Sequence, residues 1–412
     1  MNRVVVTGLG TISAAGNDVN SSWERVLSGT SGIDTISLFD ASELPVQIAG
    51  QIKNFDPKTV MDTKSIRRSS RFIQIALQAA TEAIADSGFL EVTAKEKVGC
   101  IIGVGMGALD VIEEMQTRAL EKGSERISPF FVPSVIANMA AGYVANYFEL
   151  KGTNLCISTA CTSGTHAIGE AYENIRRNQS EVVVSGGSES TICALGIAGF
   201  HNMKALSQNN SCPGEASRPF DEQRDGFVMG EGSGILILEN LDHAMRRGAK
   251  IYAEIIGYGT SADAYHITTP APKGEGFRRC MESALNDAGI EREKISYINA
   301  HGTSTYYNDI RETEAILGTF GDHAKQLMIS STKGVTGHCL GAAGGIEAVF
   351  LTQAIANSIV PPTANLRDPD PLCPLDYVPL TPREATIKYG MSNSFGFGGT
   401  NASIIMTSAN SL

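Results

Sequence analysis

The stretch Ser158-Thr159-Ala160-Cys161-Thr162-Ser163-Gly164 separates two different hydrophobic patterns. Residues 155–157 form a short apolar run that is typical of a strand, whereas residues 166–175 have the apolar spacing of a helix. The change of pattern predicts a strand-to-helix turn that places Cys161 at the positive end of a helix dipole. Such a position favours the thiolate, which is the reactive form of cysteine. Most cysteines are merely small buried residues, but the small neighbours of Cys161 and two histidine motifs far downstream predict nucleophilic catalysis.

Composition and charge are those of a globular protein that uses no disulfide framework. The chain has 412 residues, of which 42% are hydrophobic and 19% charged, with a formal net charge of −11. Its eight cysteines are scattered without a C-x-x-C pair, so we expect a reducing compartment and no metal site. The N-terminus lacks the length of a signal peptide and no apolar run could span a bilayer, which favours the cytoplasm and argues against a membrane role. The negative charge argues against nucleic-acid binding.

The chain also contains a weak internal repeat, in which segments of the first half recur in the same order in the second half. The matching segments are residues 4–10 and 253–259, 70–87 and 277–289, 98–103 and 295–302, and 182–187 and 390–396. Strands that alternate with helices predict α/β units, and consecutive apolar residues, as in 182–184, indicate strands covered on both faces. We therefore predict one compact duplicated α/β domain, with halves at residues 1–250 and 251–412. Insertions at residues 28–64 and 107–137 interrupt the first copy.

Three further motifs follow the cysteine motif along the chain. His301 lies in Asn299-Ala300-His301-Gly302-Thr303-Ser304-Thr305, Lys333 precedes the pair Gly337-His338, and residues 393–401 are rich in glycine and phenylalanine. With residues 159–164, these motifs closely resemble the β-ketoacyl-[acyl-carrier-protein] synthases, and among them the synthase II group of bacterial type II fatty acid synthesis. The resemblance covers residues 4–405, and four motifs in the correct order argue against an accidental match.

The resemblance implies both a fold and a reaction. The fold would be a duplicated thiolase-like one, with two mixed sheets in five α-β-α-β-α layers, and the protein would be a homodimer. The reaction would be a decarboxylative Claisen condensation, in which an acyl group held as a thioester on Cys161 is joined to malonyl-acyl carrier protein to give 3-oxoacyl-acyl carrier protein. No cofactor is implied beyond the phosphopantetheine of the acyl carrier protein, which is the implied partner.

The chemistry of condensation explains why these residue types are needed. A thioester on Cys161 provides both a good acceptor and a good leaving group. Decarboxylation of a malonyl thioester produces an enolate whose oxygen needs two hydrogen-bond donors, and neutral imidazoles at His301 and His338 can supply them. The resemblance gives both histidines this role, and it assigns the oxyanion hole to the N–H groups of Cys161 and Phe397, which would also gate the thiol. We expect ordinary structural roles for His166, His201, His243, His266 and His323.

Residues of the substrate path and of its support are also implied by the resemblance. Lys333 would orient the site and pair with Glu347, since an unpaired buried charge is costly. Thr303 and Thr305 would bind the phosphopantetheine arm, with turn-capping hydroxyls as the simpler interpretation of both. The remaining implied positions are Met106 and Phe200 in the acyl pocket, and Phe395, Gly398 and Gly399 where the backbone approaches the substrate.

An acidic carrier needs a local basic surface on a negatively charged enzyme. The candidates are the clustered Lys64, Arg67, Arg68 and Arg71, together with Arg126 and Lys204, which match family positions at the same rim. A charge run is commonly only a solvated helix face, so this docking surface is a hypothesis. The chain departs from the family at Tyr306-Tyr307, where proline is the commonest first residue, although Asp309 is retained in register. The departure predicts a different rim at the mouth of the pantetheine path.

Four other classes of protein share parts of this pattern. A thiolase would need a second catalytic cysteine where this chain has Phe395-Gly396-Phe397-Gly398-Gly399, and a synthase III would have asparagine as the third catalytic residue, where this chain has His338. A chain-length factor, a non-enzymatic partner of polyketide synthases, would lack the nucleophile. A polyketide ketosynthase with the same Cys-His-His set is the main alternative, and the products formed from defined acyl and malonyl carriers would separate it from fatty acid synthesis.

Overall fold

The computed structural model of the chain describes residues 1–409, in which strands and helices alternate as predicted. The strands are β1 (Val4–Ser13), β2 (Asp34–Thr35), β3 (Ile48–Ala49), β4 (Val98–Gly103), β5 (Asn154–Ile157), β6 (Val182–Glu189), β7 (Gly232–Asn240), β8 (Ala253–Ala262), β9 (Tyr297–Asn299), β10 (Met328–Ser330), β11 (Ile359–Val360), β12 (Arg383–Glu384), β13 (Tyr389–Gly396) and β14 (Thr400–Ser408). The α-helices are α1 (Val19–Ser28), α2 (Thr63–Ile66), α3 (Arg71–Ser87), α4 (Leu109–Lys122), α5 (Phe131–Val135), α6 (Met139–Phe148), α7 (Ser163–Arg176), α8 (Ala194–Asn202), α9 (Leu241–Arg246), α10 (Glu275–Ala288), α11 (Tyr306–Phe320), α12 (Lys333–Thr336) and α13 (Ala343–Asn357).

The sheet shows the duplication directly. In the described part of the chain, ten strands are hydrogen-bonded in the order β10-β9-β13-β14-β8-β1-β7-β6-β4-β5. From one edge the order is β5-β4-β6-β7-β1, and from the other it is β10-β9-β13-β14-β8, so each strand has a counterpart at the same place. In both halves the first three strands pair in parallel and the next two pairings are antiparallel. The predicted repeat and the mixed character of the sheets are confirmed.

The two predicted sheets are joined rather than separate. The edge strands β1 and β8 pair in an antiparallel manner over three residue pairs, Val4–Ile255, Val5–Glu254 and Val6–Ala253. Each strand would otherwise present unpaired backbone N–H and C=O groups at the edge of its own half, and the short pairing satisfies these groups. The two five-stranded halves therefore form one continuous sheet through a narrow junction.

Three hydrophobic cores divide the helices into three layers. The central core packs α7 and α13 between the two halves of the sheet and includes Ile168 and Phe350. A second core packs α3 and α6 against the first half, and a third packs α10 and α11 against the second half. Neighbouring residues of a strand point into different cores, as Ile101 and Ile102 of β4 do. The predicted α-β-α-β-α arrangement is therefore confirmed.

The N-termini of α7 and α13 meet in the central layer, and this contact assembles the site. A Cβ atom at Gly164 would lie 2.7 Å from the backbone nitrogen of Gly345, so the close approach requires glycine. The helix α7 follows the cysteine motif and α13 follows His338 in the chain. Contact between the two helix ends therefore brings motifs from both halves of the repeat together.

The predicted insertions lie outside the repeated strands. Residues 28–64 contain β2 and β3, and residues 107–137 contain α4 and α5. The division of the chain at residue 250 falls between α9 and β8 and stays a prediction, and residues 410–412 of its second half lie outside the described residues. None of the helices in residues 1–409 combines the length and the apolar character that crossing a bilayer requires.

Candidate active site

The cysteine motif forms the tight turn that its sequence predicts. β5 ends at Ile157, a single 3₁₀ turn covers Ala160–Thr162, and α7 begins at Ser163. Ala160 has a φ of +53°, a left-handed conformation that is uncommon for a residue with a side chain and marks a strained turn. The Ser163 hydroxyl donates to the Ala160 carbonyl at 2.7 Å and holds this turn. Cys161 is thereby fixed at the start of α7, with only 8% of its surface exposed.

A second turn of the same kind occurs at the equivalent point of the second half. The 3₁₀ turn Leu340–Ala342 precedes α13 as Ala160–Thr162 precedes α7, and Leu340 has a φ of +47°. Gly341 stands where the first half has Cys161. The strained turn is therefore a feature of the duplicated fold, and at this position the first copy alone carries a thiol.

The surroundings of the Cys161 sulfur act on its pKa in both directions. Burial raises the pKa to about 11, whereas the positive charge of Lys333 and the backbone N–H groups of Phe397 and of Cys161 itself lower it. The position at the helix end therefore does not lower the pKa of Cys161 as the sequence predicted, because removing the sulfur from water outweighs the favourable interactions. The two N–H groups nevertheless lie beside the sulfur, where the oxygen of a bound thioester would develop negative charge.

His301 and His338 form a pair of neutral imidazoles. Their ring centroids are 5.3 Å apart and the rings are nearly perpendicular, at 86°. Both side chains are buried, and burial together with the charge of Lys333 lowers the pKa of each ring well below the usual 6.5. Each ring therefore carries a single N–H at neutral pH and can donate one hydrogen bond. Within residues 1–409, neither buried Nδ1 atom has a hydrogen-bond partner.

Lys333 is a buried cation beside the histidine pair. Its Nζ donates to the His301 carbonyl at 2.5 Å and forms an ion pair with Glu347. Both side chains of this pair are almost fully buried. Burial raises the pKa of Glu347 to about 7, and the charge of Lys333 opposes this effect. The pairing that the resemblance implied is present, and it fixes the backbone of His301 as well as placing positive charge in the site.

Contacts that the sequence analysis did not foresee hold the backbone of both histidines. The carboxylate of Glu312 accepts hydrogen bonds from the N–H of His301 and from that of the next residue, each at 2.8 Å. The N–H of His338 donates to the Val228 carbonyl at 2.7 Å, and the His338 carbonyl accepts from Gly230 at 2.9 Å. The two donors are therefore held in position before any substrate binds, as stabilisation of a developing charge requires.

A cavity of about 390 Å³ adjoins these residues. The aromatic rings of Phe200 and Phe397 are neighbours in its wall, with centroids 6.4 Å apart. The hydroxyls of Thr303 and Thr305 also lie there and bind each other at 2.9 Å. The predicted site residues in this wall are Cys161, Phe200, Lys204, His301, Thr303, Thr305, His338, Phe395, Phe397 and Gly399. Most of the predicted site thus surrounds one cavity.

Other predicted residues lie outside the cavity wall. They are Met106, Asp309, Lys333, Glu347 and Gly398. Asp309 is buried, as Lys333 and Glu347 are, and the Gly398 N–H donates to the Ile267 carbonyl at 2.6 Å. Met106 differs most from expectation, because 45% of it is exposed at the surface and the single chain does not enclose it in a pocket. Conversely, His266, for which a structural role was expected, is part of the wall.

Glu189 ties the turn that carries Met106 to the second half of the fold, and no sequence motif pointed to it. Its side chain is fully buried at the end of β6. Its carboxylate accepts backbone hydrogen bonds from all three residues of the turn 105–107, at 2.7 to 3.0 Å. A fourth comes from Gly341 at 3.2 Å. One carboxylate therefore connects the Met106 turn with the strained turn Leu340–Ala342.

Replacing Glu189 with glutamine is expected to loosen the turn at residues 105–107. The glutamine amide has an NH₂ group in place of one carboxylate oxygen. Because NH₂ cannot accept a hydrogen bond from a backbone N–H group, at least one of these hydrogen bonds is lost. We expect the free energy of unfolding to fall by about 1–3 kcal/mol, and acylation by long acyl chains to slow more than acylation by short ones. Urea unfolding and acylation rates for acyl carriers of graded length measure the two effects.

Glu82 provides a matched control for this change. Its carboxylate also accepts backbone hydrogen bonds, from Thr11 at 2.9 Å and from Val19 at 2.7 Å, but it does not contact the Met106 turn. We expect Glu82→Gln to lower stability without any dependence on acyl length. Equal loss of acylation for all chain lengths in Glu189→Gln would show that Glu189 has no influence on the pocket.

The predicted docking cluster is only partly available at the surface. The exposed members are Lys64, Arg67, Arg126 and Lys204. The guanidinium of Arg68 lies 4.2 Å from the centre of the Phe130 ring. Arg71 forms an ion pair at 2.7 Å with Glu231, which is fully buried. Arg71 is therefore excluded from the docking surface, because a buried carboxylate already neutralises its charge.

A few buried polar atoms have unused bonding capacity. Both polar atoms of Asn299, the Ser392 hydroxyl and the second carboxylate oxygen of Glu347 have no partner within residues 1–409. Asn299 and Ser392 are paired across β9 and β13. In the same part of the chain, no group of three or more His, Cys, Asp or Glu side chains is placed to hold a metal ion.

The chain matches two family models that follow one another in sequence. Residues 1–244 match the β-ketoacyl synthase N-terminal domain, and residues 252–367 match the β-ketoacyl synthase C-terminal domain. Together they cover most of the chain and all the motifs up to His338. The chain therefore belongs to the β-ketoacyl synthase family.

Curated relatives of the chain share one function. The 3-oxoacyl-[acyl-carrier-protein] synthase 2 of Coxiella burnetii is 50% identical over 406 residues, which are 98% of each chain. The protein of the same name from Synechocystis is 49% identical over 404 residues, 98% of this chain and 97% of that one. The predicted condensing enzyme is confirmed by these relatives.

Solved structures share the fold along the whole chain. A β-ketoacyl synthase from Burkholderia phymatum has a TM-score of 0.92 at 34% identity, over 99% of this chain and 100% of that one. A ketosynthase of a type II polyketide synthase, solved with its acyl-carrier protein and a bound hexaketide, has a TM-score of 0.91 at 36% identity and covers 99% of both chains. The predicted fold class is confirmed.

Proposed function

We propose that this chain elongates acyl chains on acyl carrier protein by a two-step reaction at Cys161. The observation that carries the proposal is the presence, in one cavity wall, of a thiol flanked by backbone N–H groups and a pair of neutral histidines. A thiol alone would suit many enzymes, but the added donor pair suits stabilisation of an enolate. As proposed, the reaction uses no bound cofactor, since both substrates arrive as phosphopantetheine thioesters.

In the first step, the Cys161 sulfur attacks the carbonyl carbon of an acyl thioester. The new carbon–sulfur bond forms, the bond to the pantetheine sulfur breaks, and the thiol proton ends on the released pantetheine. The N–H groups of Cys161 and Phe397 stabilise the oxyanion that develops in between. Because the free thiol is protonated at neutral pH, its proton must leave during attack, and it passes to the departing pantetheine sulfur.

In the second step, the carbon–carbon bond to the malonyl carboxylate breaks and CO₂ is released. The electron pair of this bond stays on the thioester, which becomes an enolate. The enolate oxygen accepts hydrogen bonds from His301 and His338, and its carbon attacks the acyl carbonyl while the Cys161 thiolate leaves and takes up a proton. An imidazolium would be a poorer choice, since it could protonate and quench the carbanion. The charge of Lys333 favours the neutral form of both rings, which is its proposed role in this step.

The proposed partner is an acyl carrier protein. One similar ketosynthase has been solved in complex with its acyl-carrier protein, which supports this assignment. Lys64 and Arg67 are exposed and Lys204 lies in the cavity wall, so cationic groups are available to an acidic partner.

Charge reversal in this cluster is expected to weaken carrier binding. The double change Arg67→Glu and Arg68→Glu should raise the dissociation constant of the acyl carrier roughly fivefold to tenfold at low salt, because two rim charges become repulsive. Added salt should weaken wild-type binding and reduce the difference. The matched control reverses two exposed cations elsewhere, Lys151 and Arg177, with the same change in net charge. Equal affinities of both variants and the wild type would place the docking surface elsewhere.

We also propose that a second copy of the chain completes the acyl pocket. β5 is the edge strand of the first half, and Leu155 within it is 47% exposed. An exposed apolar edge is a template for pairing with another strand, and two such edges can pair around a twofold axis. Further exposed apolar residues of the first half are Met106, Ile112, Val132, Ile136 and Leu195. A homodimer formed here would cover Met106, which the single chain leaves at the surface.

Met106 is proposed to limit the depth of this shared pocket. Its long flexible side chain could fold aside for an acyl chain, whereas the rigid ring in Met106→Phe would not. We expect the variant to keep short acyl chains as substrates and to exclude long ones, measured as acylation rates alongside melting temperature. Met245→Phe, at a residue 65% exposed on α9, is the control. Equal rate losses at every length would discard the gate.

The proposed function is tested by reconstitution with defined carriers. Purified chain, an acyl carrier and a malonyl carrier should give CO₂ and a single 3-oxoacyl product that is two carbons longer. One of the similar structures is the ketosynthase of a polyketide synthase, and a product elongated repeatedly without reduction would favour that alternative. Absence of any carbon–carbon bond formation would overturn the proposal.

A further inference from the structure

We infer that Tyr306 and Tyr307 form an aromatic contact site for the distal part of the pantetheine arm, at the mouth of the cavity. The inference rests on the proposed function, because it concerns how the substrates of that reaction enter. It assigns a role to the two residues at which the chain departs from the family pattern. The contact would be made by the two ring faces and edges.

The two rings are exposed and yet belong to the wall of the reaction cavity. Tyr306 and Tyr307 are the first two residues of α11 and are 55% and 58% exposed. Their centroids are 5.4 Å apart at an interplanar angle of 82°, an edge-to-face arrangement. Both line the same cavity as Cys161 and the hydroxyls of Thr303 and Thr305. The two rings therefore belong both to the exposed surface and to the wall of the cavity that holds Cys161.

Arg224 stabilises the start of α11 from the protein interior. It is buried, and its guanidinium carbon lies 5.6 Å from the centre of the Tyr306 ring. Its N–H groups donate to the carbonyls of Thr305 and Tyr306, each at 3.3 Å. Asp370 at 2.8 Å and Asp309 at 3.5 Å neutralise its charge. The tyrosine pair is therefore preorganised, and ordering it costs little when a ligand binds.

The chemistry of the pair fits an uncharged arm of amides and methyl groups. Aromatic faces pack against methyl groups and amide planes, and this packing does not need the tyrosine hydroxyls. Such rings bring large contact area with few rotatable bonds, which is why tyrosine is common at binding surfaces. The position of both rings in the cavity wall, rather than only on the outer surface, favours the arm over the body of the carrier protein.

The test compares three thioesters of the same acyl group as substrates of the wild type and of double tyrosine variants. One is carried on acyl carrier protein, one on coenzyme A, and one on N-acetylcysteamine, which keeps only the end of the arm next to the sulfur. We expect the double change Tyr306→Ala and Tyr307→Ala to raise KM about fivefold or more for the first two, by loss of two aromatic contacts. KM for the N-acetylcysteamine thioester, and kcat for all three, should stay within twofold.

Two controls make the outcome specific. Tyr265→Ala removes a tyrosine that is 60% exposed but does not line the cavity, and it should leave every KM unchanged. The double change Tyr306→Phe and Tyr307→Phe keeps both rings and should retain the wild-type KM for coenzyme A thioesters. Circular dichroism and melting temperature verify that each variant is folded.

Several results would overturn the inference without touching the proposed function. One is a rise in KM for the carrier-borne substrate alone, which would mean contact with the carrier protein. Others are unchanged KM values in the double alanine variant, or a phenylalanine variant that behaves like the alanine one. The proposed function itself fails if none of the three thioesters acylates wild-type Cys161, or if no carbon–carbon bond forms with malonyl carrier, so the two failures are distinguishable.

Discussion

Replacing Cys161 with alanine is expected to abolish formation of the acyl-enzyme and, with it, all condensation. Cys161 lies at the strained turn before α7, beside the N–H groups that would stabilise an oxyanion, and it lines the reaction cavity. Alanine removes the nucleophile and leaves the backbone of the turn unchanged, so the fold should be retained. Cys161→Ser should also fail, since a serine hydroxyl without a dedicated base is a far weaker nucleophile. Intact mass after incubation with acyl carrier is the measurement.

The matched controls are the other cysteines of the same region. Cys156 lies in β5 and Cys193 directly precedes α8, and neither lines the cavity. Burial raises the pKa of the first to about 11 and that of the second to about 12, so a high thiol pKa alone does not mark the nucleophile. Cys156→Ala and Cys193→Ala should acylate at the wild-type rate. A normal acyl adduct on the Cys161→Ala variant would refute the assignment.

Replacing either His301 or His338 with alanine is expected to slow decarboxylation and condensation by ~10²-fold or more, as loss of an oxyanion donor does in other enzymes. The rings lie 5.3 Å apart and are neutral, so each contributes one donor to the enolate. Acylation of Cys161 uses backbone donors instead and should be affected much less. Release of CO₂ from malonyl carrier and formation of the acyl-enzyme are therefore measured separately.

His266 provides the control for the histidine variants. It lines the same cavity but belongs to no predicted catalytic pair, and His266→Ala should keep decarboxylation within a few-fold of wild type. Condensation at the wild-type rate by both His301→Ala and His338→Ala would refute the two-histidine mechanism. Equal loss of acylation and decarboxylation would indicate that the histidines act on both steps alike.

Features of the fold and the site that depend on hydrophobic periodicity or on sequence motifs could be predicted from the sequence. The repeat of strands predicted that β6 and β13 occupy equivalent places, and the change of pattern around Cys161 predicted its turn. The motifs of His301 and His338 are far apart in sequence and meet in the structure, because equivalent strand ends of a duplicated fold lie together. The strand pattern and the motifs are local in the chain. The strand pattern recurs in both halves, and the motifs are bounded by glycine.

Other features depend on long-range contacts that leave no local signal. Glu189 and Glu312 serve backbone N–H groups, and any segment can offer such groups, so neither carboxylate stands in a recognisable pattern. The pKa of Cys161 depends on how completely the fold removes the sulfur from water, which a helix-end argument does not capture. The exposure of Met106 in the single chain likewise follows from the packing of the whole molecule.

The most direct test of the account is the location of the acyl group in the wild-type enzyme. The chain is incubated with acyl carrier alone, digested, and analysed by peptide mass spectrometry, before and after malonyl carrier is added. We predict one acyl group, on Cys161, which disappears as CO₂ and 3-oxoacyl carrier form in equal amounts. An acyl group on another residue, or 3-oxoacyl product without any acyl-Cys161, would contradict it.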